Sequence, residues 1–213
     1  FYCKSNSVNL TAAIIQIMKL EERIRSFAAL GETLRGFLEN NPAFRNDSLN
    51  TLIVNQHIRN PWFTPVNVRK AISSIADELT MENLTRWTGN YPLLNEKTEP
   101  LRVGLIMAGN IPLVGFHDFL SVLISGNYLI AKTSSKDHEL IGFISNTLCT
   151  INPLFADRIR FTEGTLQNFD AVIATGSDNS SRYFEYYFGK YPNIIRRNRN
   201  SIAIIEGDES DAE

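Results

Sequence analysis

Three short stretches carry side chains that could do chemistry. Asn110 follows the apolar run Val103 to Ala108 and a flexible Gly109. An amide so placed can donate a hydrogen bond to an oxyanion forming on a carbonyl carbon, or it can simply close a turn, as asparagine does routinely. Lys132 ends a second apolar run, Tyr128 to Ala131, and leads into Thr133-Ser134-Ser135. A cation there could pair with a ribose or phosphate, or stand as a plain charge at a sheet rim. Thr175-Gly176-Ser177 separates a third apolar run, Ala171 to Ala174, from a helical segment. Backbone N–H groups and the helix dipole favour a phosphate at such a junction, although Ser177 or Asp178 could equally serve as an ordinary helix cap.

Other chemistries find less support. His57, His117 and His138 have no HxxxH or HExxH spacing that would suggest a metal site. Arg196, Arg197 and Arg199 form the one basic cluster, readable either as phosphate ligands or as a solvated loop. No aromatic interleaving marks that cluster for nucleic acid. GxGxxG, GxxxxGK[ST] and GxSxG are all missing from the chain, so the usual dinucleotide fingerprint, the P-loop and the serine-hydrolase elbow are set aside.

The elements that must position these residues follow from periodicity. Val103–Ala108, a helix opened by Pro112 and ended by Gly126-Asn127, and Tyr128–Ala131 make one βαβ unit. In such sheets ligands bind beyond the carboxyl ends of the strands, where Asn110 and Lys132 both fall. Further helices are expected at 139–150 and 178–189, and strands near 157–161, 170–174, 193–195 and 201–205. Before the sheet, residues 9–39 read as a long amphipathic helix that bends or breaks at Gly31 and Gly36. Shorter helices follow at 49–57, 67–79 and 82–88. The expected fold is α/β, a doubly wound, mostly parallel sheet with an N-terminal helical region. The helical region is expected over residues 1–95 and the α/β domain over residues 96–213.

Composition agrees with a globular protein: 213 residues, 43% hydrophobic and 21% charged. A net charge of −2 gives no reason to expect a nucleic acid or an anionic membrane as partner. No apolar run approaches the roughly 20 residues of a membrane span, and the start, FYCKSNSVNL, does not read as a signal peptide. Cys3 and Cys149 stand far apart and suit free thiols in a reducing, cytoplasmic setting. The first residue is Phe and the last stretch is the acidic GDESDAE, so both ends read as cut.

Taken in order, VGLIMAGNIPLVGFHDFL, GNYLIAKTSSKD and ATGSDNSS followed by RRNRNSIAIIEGDES resemble the aldehyde dehydrogenase superfamily. The resemblance is to its LuxC-type fatty acyl-CoA reductases and is strongest over about residues 100–210. It implies an aldehyde dehydrogenase-like Rossmann domain and reduction of an acyl-CoA or other acyl thioester to the aldehyde through a cysteine-bound intermediate. It implies Asn110 as oxyanion donor, Lys132 with Ser134 and Ser135 at the adenosine ribose, and Gly176 with Ser177 at the pyrophosphate. Many NAD-preferring relatives carry a glutamate three positions after the lysine. Here Ser135 occupies that place and Lys136 follows, which implies NADPH. The stretch matching the glutamate base of hydrolytic members, Arg196 to Arg199, holds no carboxylate, so a thioester would be reduced rather than hydrolysed. Neither Cys3 nor Cys149 matches the nucleophile motif, whose cysteine is expected in a catalytic domain beyond this chain. The full-length form could be a homo-oligomer. The rival reading is a catalytically silent nucleotide-binding or scaffold domain.

Overall fold

The computed structural model describes residues 18–39, 41–44, 47–96, 99–135 and 137–197. The expected strand at 201–205, and Cys3, Lys136 and Arg199, lie outside the described residues.

Among the described residues, four helices precede the sheet: α1 (Leu20–Leu38), α2 (Asp47–Arg59), α3 (Pro65–Glu78) and α4 (Met81–Gly89). Local chemistry starts two of them cleanly. Thr64 accepts from Asn67 N–H at 3.2 Å ahead of Pro65, and Thr80 accepts from Asn83 N–H at 3.1 Å, satisfying donors that a helix start leaves open. α1 runs unbroken through Gly31 and Gly36, contrary to the expected bend. Both glycines are buried, Gly31 against Leu79 and Gly36 against Phe44, with no room for a Cβ at either. They permit close packing, and that contact outweighs their low helix propensity.

The sheet alternates β1 (Arg102–Ile106), α5 (Phe116–Ile124), β2 (Tyr128–Lys132), α6 (His138–Ile151), β3 (Ile159–Phe161), β4 (Ala171–Thr175), α7 (Asp178–Phe188) and β5 (Asn193–Arg196). All pairings are parallel, in the order β3-β2-β1-β4-β5. Right-handed crossovers then place α5 and α6 on one face and α7 on the other. α1 packs on α5 and α6, and the edge-to-face pairs Phe27–Phe155 and Phe37–Phe143, at 5.6 and 6.0 Å, join the helical layer to the sheet layer. One hydrophobic core runs from Met18 to Phe155. On α7, Tyr183, Tyr186 and Tyr187 all face outward.

The expected start of α5 needs correction. Pro112 opens a series of turns, and the helix begins only at Phe116, with Gly115 as its N-cap. Leu113 explains the delay, because its φ of 59° is left-handed and cannot belong to a right-handed helix. At its other end α5 stops at Ser125, and Gly126, with φ of 89°, turns the chain into β2 as expected.

Candidate cofactor and active site

The register of the sheet brings the three stretches to one edge. Ile106, the last residue of β1, pairs with Lys132 on one side and with Ala174 on the other. The segments leaving these three strand ends carry Asn110, Ser134 with Ser135, and Gly176 with Ser177. The boundary between β1 and β4 is the point where strand order reverses, and there the loops from adjacent strands diverge and leave a crevice.

Asn110 sits in the loop between β1 and α5, exposed, with its amide making no hydrogen bond among the described residues. It lines a shallow cavity of about 340 Å³ with Trp62, Lys70, Ala71, Ile111 and Pro112. The loop is held from two directions. Asn60, buried at the end of α2, donates its Nδ2 to Gly109 C=O at 3.3 Å. Asp137, buried just before α6, accepts from Leu113 N–H through Oδ2 at 2.7 Å. Gly109 packs against Ser134 so closely that a Cβ would collide with it. Burial pushes the Asp137 carboxyl up to about 7, against the opposing pull of the Leu113 N–H. Its other oxygen, Oδ1, is buried with no partner among the described residues.

Lys132 is half-buried and has no ion-pair partner among the described residues. Beyond it, Ser134 C=O accepts from Asp137 N–H at 3.1 Å. Ser135 is exposed, and its carbonyl lies 3.2 Å from His138 Nδ1. Thr175 Oγ1, at the end of β4, is buried and unpartnered. A Cβ on Gly176 would lie 2.9 Å from both Phe184 and Ser180, so this position tolerates glycine alone without repacking. Ser177 is the N-cap of α7, accepting from Ser180 N–H at 3.3 Å. The plain-cap role is therefore present. Together, a glycine turn and a helix start on one strand end suit a phosphate, while a lysine two strands away suits a ribose or a second anion.

Arg196 and Arg197 of the basic cluster are committed elsewhere. Arg196 Nη1 contacts both carboxylate oxygens of Asp118, at 2.6 and 2.5 Å, and Arg197 pairs with Glu185. Each guanidinium thus has a carboxylate to neutralise it, which weakens the phosphate-ligand reading of this loop. The histidines stand apart: His57 Nδ1 lies 2.6 Å from Val54 C=O, and the His117 ring tilts against Trp87 at 5.8 Å. Among the described residues no group of three His, Cys, Asp or Glu side chains could hold a metal ion. Cys149 is buried in α6.

Asn60, Asp118 and Asp137 escaped the sequence reading. Asp137 carried a signal, an aspartate just before a helical run, but that signal points to an N-cap and says nothing of a partner 24 residues away.

The fold is that of the aldehyde dehydrogenases. Betaine aldehyde dehydrogenase from Staphylococcus aureus, solved as a double mutant with NAD+, superposes with a TM-score of 0.60 at 13% identity, over 85% of this chain and 39% of that one. An NAD-dependent benzaldehyde dehydrogenase from Corynebacterium glutamicum gives 0.60 at 16% identity, over 86% and 42%. The chain thus spans about two fifths of the length of these structures. The sequence model of the acyl-CoA reductase (LuxC) family matches residues 62–195. The chain belongs to that family. No match was found among curated protein sequences. Among the described residues, no helix is long and apolar enough to cross a membrane.

Proposed function

We propose that this chain is the cofactor-binding part of an NADPH-dependent reductase that converts a fatty acyl-CoA, or another acyl thioester, to the aldehyde through a cysteine-bound acyl intermediate. The observation that carries the reading is the alignment of Lys132, Ile106 and Ala174 across three neighbouring strands, in a chain of the acyl-CoA reductase family.

The residues divide the work as follows. Thr175, Gly176 and the start of α7 receive the pyrophosphate, Ser177 holding the helix end open by capping Ser180. Lys132 meets the adenosine ribose and its 2′-phosphate, with Ser134 and Ser135 beside it. Many NAD-preferring members of the aldehyde dehydrogenase superfamily, which this stretch resembles, carry a glutamate where Ser135 stands, and a serine neither repels a phosphate nor crowds it. When bound, the cofactor supplies the hydride. Asn110, on a loop braced by Asn60 and Asp137, directs its amide at the carbonyl oxygen of the acyl group. That donor stabilises the negative charge which builds when hydride arrives at carbon. The neighbouring Trp62, Ala71, Ile111 and Pro112 offer apolar surface beside that carbonyl and limit water around it.

The test is calorimetric titration of the chain with NADPH and with NADH, repeated on Lys132→Ala. NADPH should bind more tightly than NADH. The substitution should weaken NADPH roughly 10- to 100-fold, as expected for loss of one charge-assisted contact. Equal affinities that the substitution leaves unchanged would overturn the assignment.

A further inference from the structure

Asp137 occupies an N-cap position and does not cap. Its side chain makes no bond to the first turn of α6, although aspartate is among the residues best suited to do so. It reaches back 24 residues and accepts from Leu113 N–H. That amide belongs to a leucine held at φ 59°, a conformation that L-residues other than glycine, asparagine and aspartate adopt rarely. The carboxylate is 5% exposed and leaves Oδ1 buried without a partner among the described residues. A residue serving only the helix start would bond its own helix and stay wet. This one gives up both to hold a strained turn three residues after Asn110.

The same residue belongs to the other loop. Its backbone N–H donates to Ser134 C=O at 3.1 Å, closing the turn that follows Lys132. Gly109 lies against Ser134 without space for a methyl group, so the two loops touch directly as well. We propose that Asp137 is a positioning residue that locks the Asn110 loop to the Lys132 loop, so that occupation of the ribose site sets the position of the oxyanion donor. This rests on the functional reading above, in which Lys132 and Asn110 serve one reaction. Close packing and a two-ended link give the coupling its physical route, since neither loop can shift without its neighbour shifting too.

Nuclear magnetic resonance on the isotope-labelled chain tests the link and the coupling separately. In the wild type, a scalar coupling across the hydrogen bond should connect the Leu113 amide nitrogen to the Asp137 carboxylate carbon, and this needs no variant. Its absence overturns the link. Asp137→Ala should lower protection of the Leu113 amide roughly tenfold or more, and Asp137→Asn, which keeps an acceptor, should restore most of it. Undiminished protection in a folded Asp137→Ala chain also overturns it. 2′-Phospho-ADP-ribose, which fills the ribose and pyrophosphate sites but carries no nicotinamide to touch Asn110 directly, should then move the Asn110 amide signals in the wild type and in Asp137→Asn. In Asp137→Ala it should still move the signals of residues 132–135 and 175–177 and leave those of Asn110 in place. Asn110 shifts that persist in Asp137→Ala overturn the coupling. A wild type silent to this probe throughout refutes the cofactor reading, and the coupling that rests on it, while the Leu113 measurements still judge the link.

Discussion

Arg196 places Nη1 between the two carboxylate oxygens of Asp118, at 2.6 and 2.5 Å, and so fastens the end of β5 to the first turn of α5. Asp118 is only 6% exposed, and the pair spans 78 residues of sequence. Removing one partner leaves the other charge in a poorly hydrated place, which costs more than the pair itself contributes. Asp118→Asn should therefore destabilise the chain by roughly 2–4 kcal/mol, the guanidinium being partly wet. Adding Arg196→Met to that variant should recover part of the loss. Urea denaturation of the two single variants and the double variant reads this directly; additive losses would mean that the two residues do not depend on each other.

Asp137 gives the chain a pH dependence with a definite sign. Its carboxyl, at about 7 in the folded protein against 3.8 when free, keeps its proton longer in the folded state than in the unfolded one. As pH rises from about 4 to 7 the unfolded chain ionises first, so stability falls through that window and the penalty is complete above 7. A shift of this size corresponds to roughly 4 kcal/mol. Asp137→Asn removes the titration. Its stability relative to wild type should rise between pH 5 and pH 8, as read by the denaturation midpoint and slope at each pH. A difference that stays constant across that range would show that Asp137 is ionised throughout.

Gly31 makes a third case. It lies in the middle of α1 against the backbone of Leu79, at the end of α3. In an exposed helix, Gly→Ala stabilises by up to about 1 kcal/mol. Here the added methyl meets a carbonyl that no rotamer change can move aside, and the two helices must separate. Gly31→Ala should lower stability by about 1–3 kcal/mol. Thermal melting decides between the signs, and a raised melting temperature would show that the contact yields.

These cases explain what could be read from the chain beforehand. The β1–α5–β2 unit was legible because its causes are local: unbroken apolar runs at 103–108 and 128–131, a helical stripe between them, and Gly126 where φ must be positive. Asn110, Lys132, Gly176 and Ser177 were legible as candidates because they stand at strand ends, and strand ends follow from the same runs. The late start of α5 was not legible, because Leu113 is left-handed in a turn whose amide bonds a carboxylate 24 residues away. Gly31 and Gly36 misled for a related reason: propensity describes a helix in water, and these two face neighbouring elements. Arg196 and Arg197 looked free because their acidic partners, Asp118 and Glu185, lie 78 and 12 residues away in sequence. Local grammar marked the strand ends that carry the candidates. The side chains that hold those ends together are long-range, and periodicity carries no trace of them.

Asn110 offers the test that separates catalysis from binding. Its amide is exposed, unpaired among the described residues and outside every core contact, so its removal should leave stability within about 0.5 kcal/mol of wild type. If it donates to an oxyanion that exists only as the reaction proceeds, Asn110→Ala should lower kcat roughly 10²- to 10³-fold and leave KM for the thioester nearly unchanged. Asn110→Asp should fare worse still, because a carboxylate presents negative charge to the oxygen that is gaining it. The measurement needs the protein with its nucleophile in place, assayed by loss of NADPH absorbance at saturating thioester. A rise in KM with kcat preserved would make Asn110 a substrate-binding residue. Unchanged kinetics would return it to the role that its turn position alone suggests.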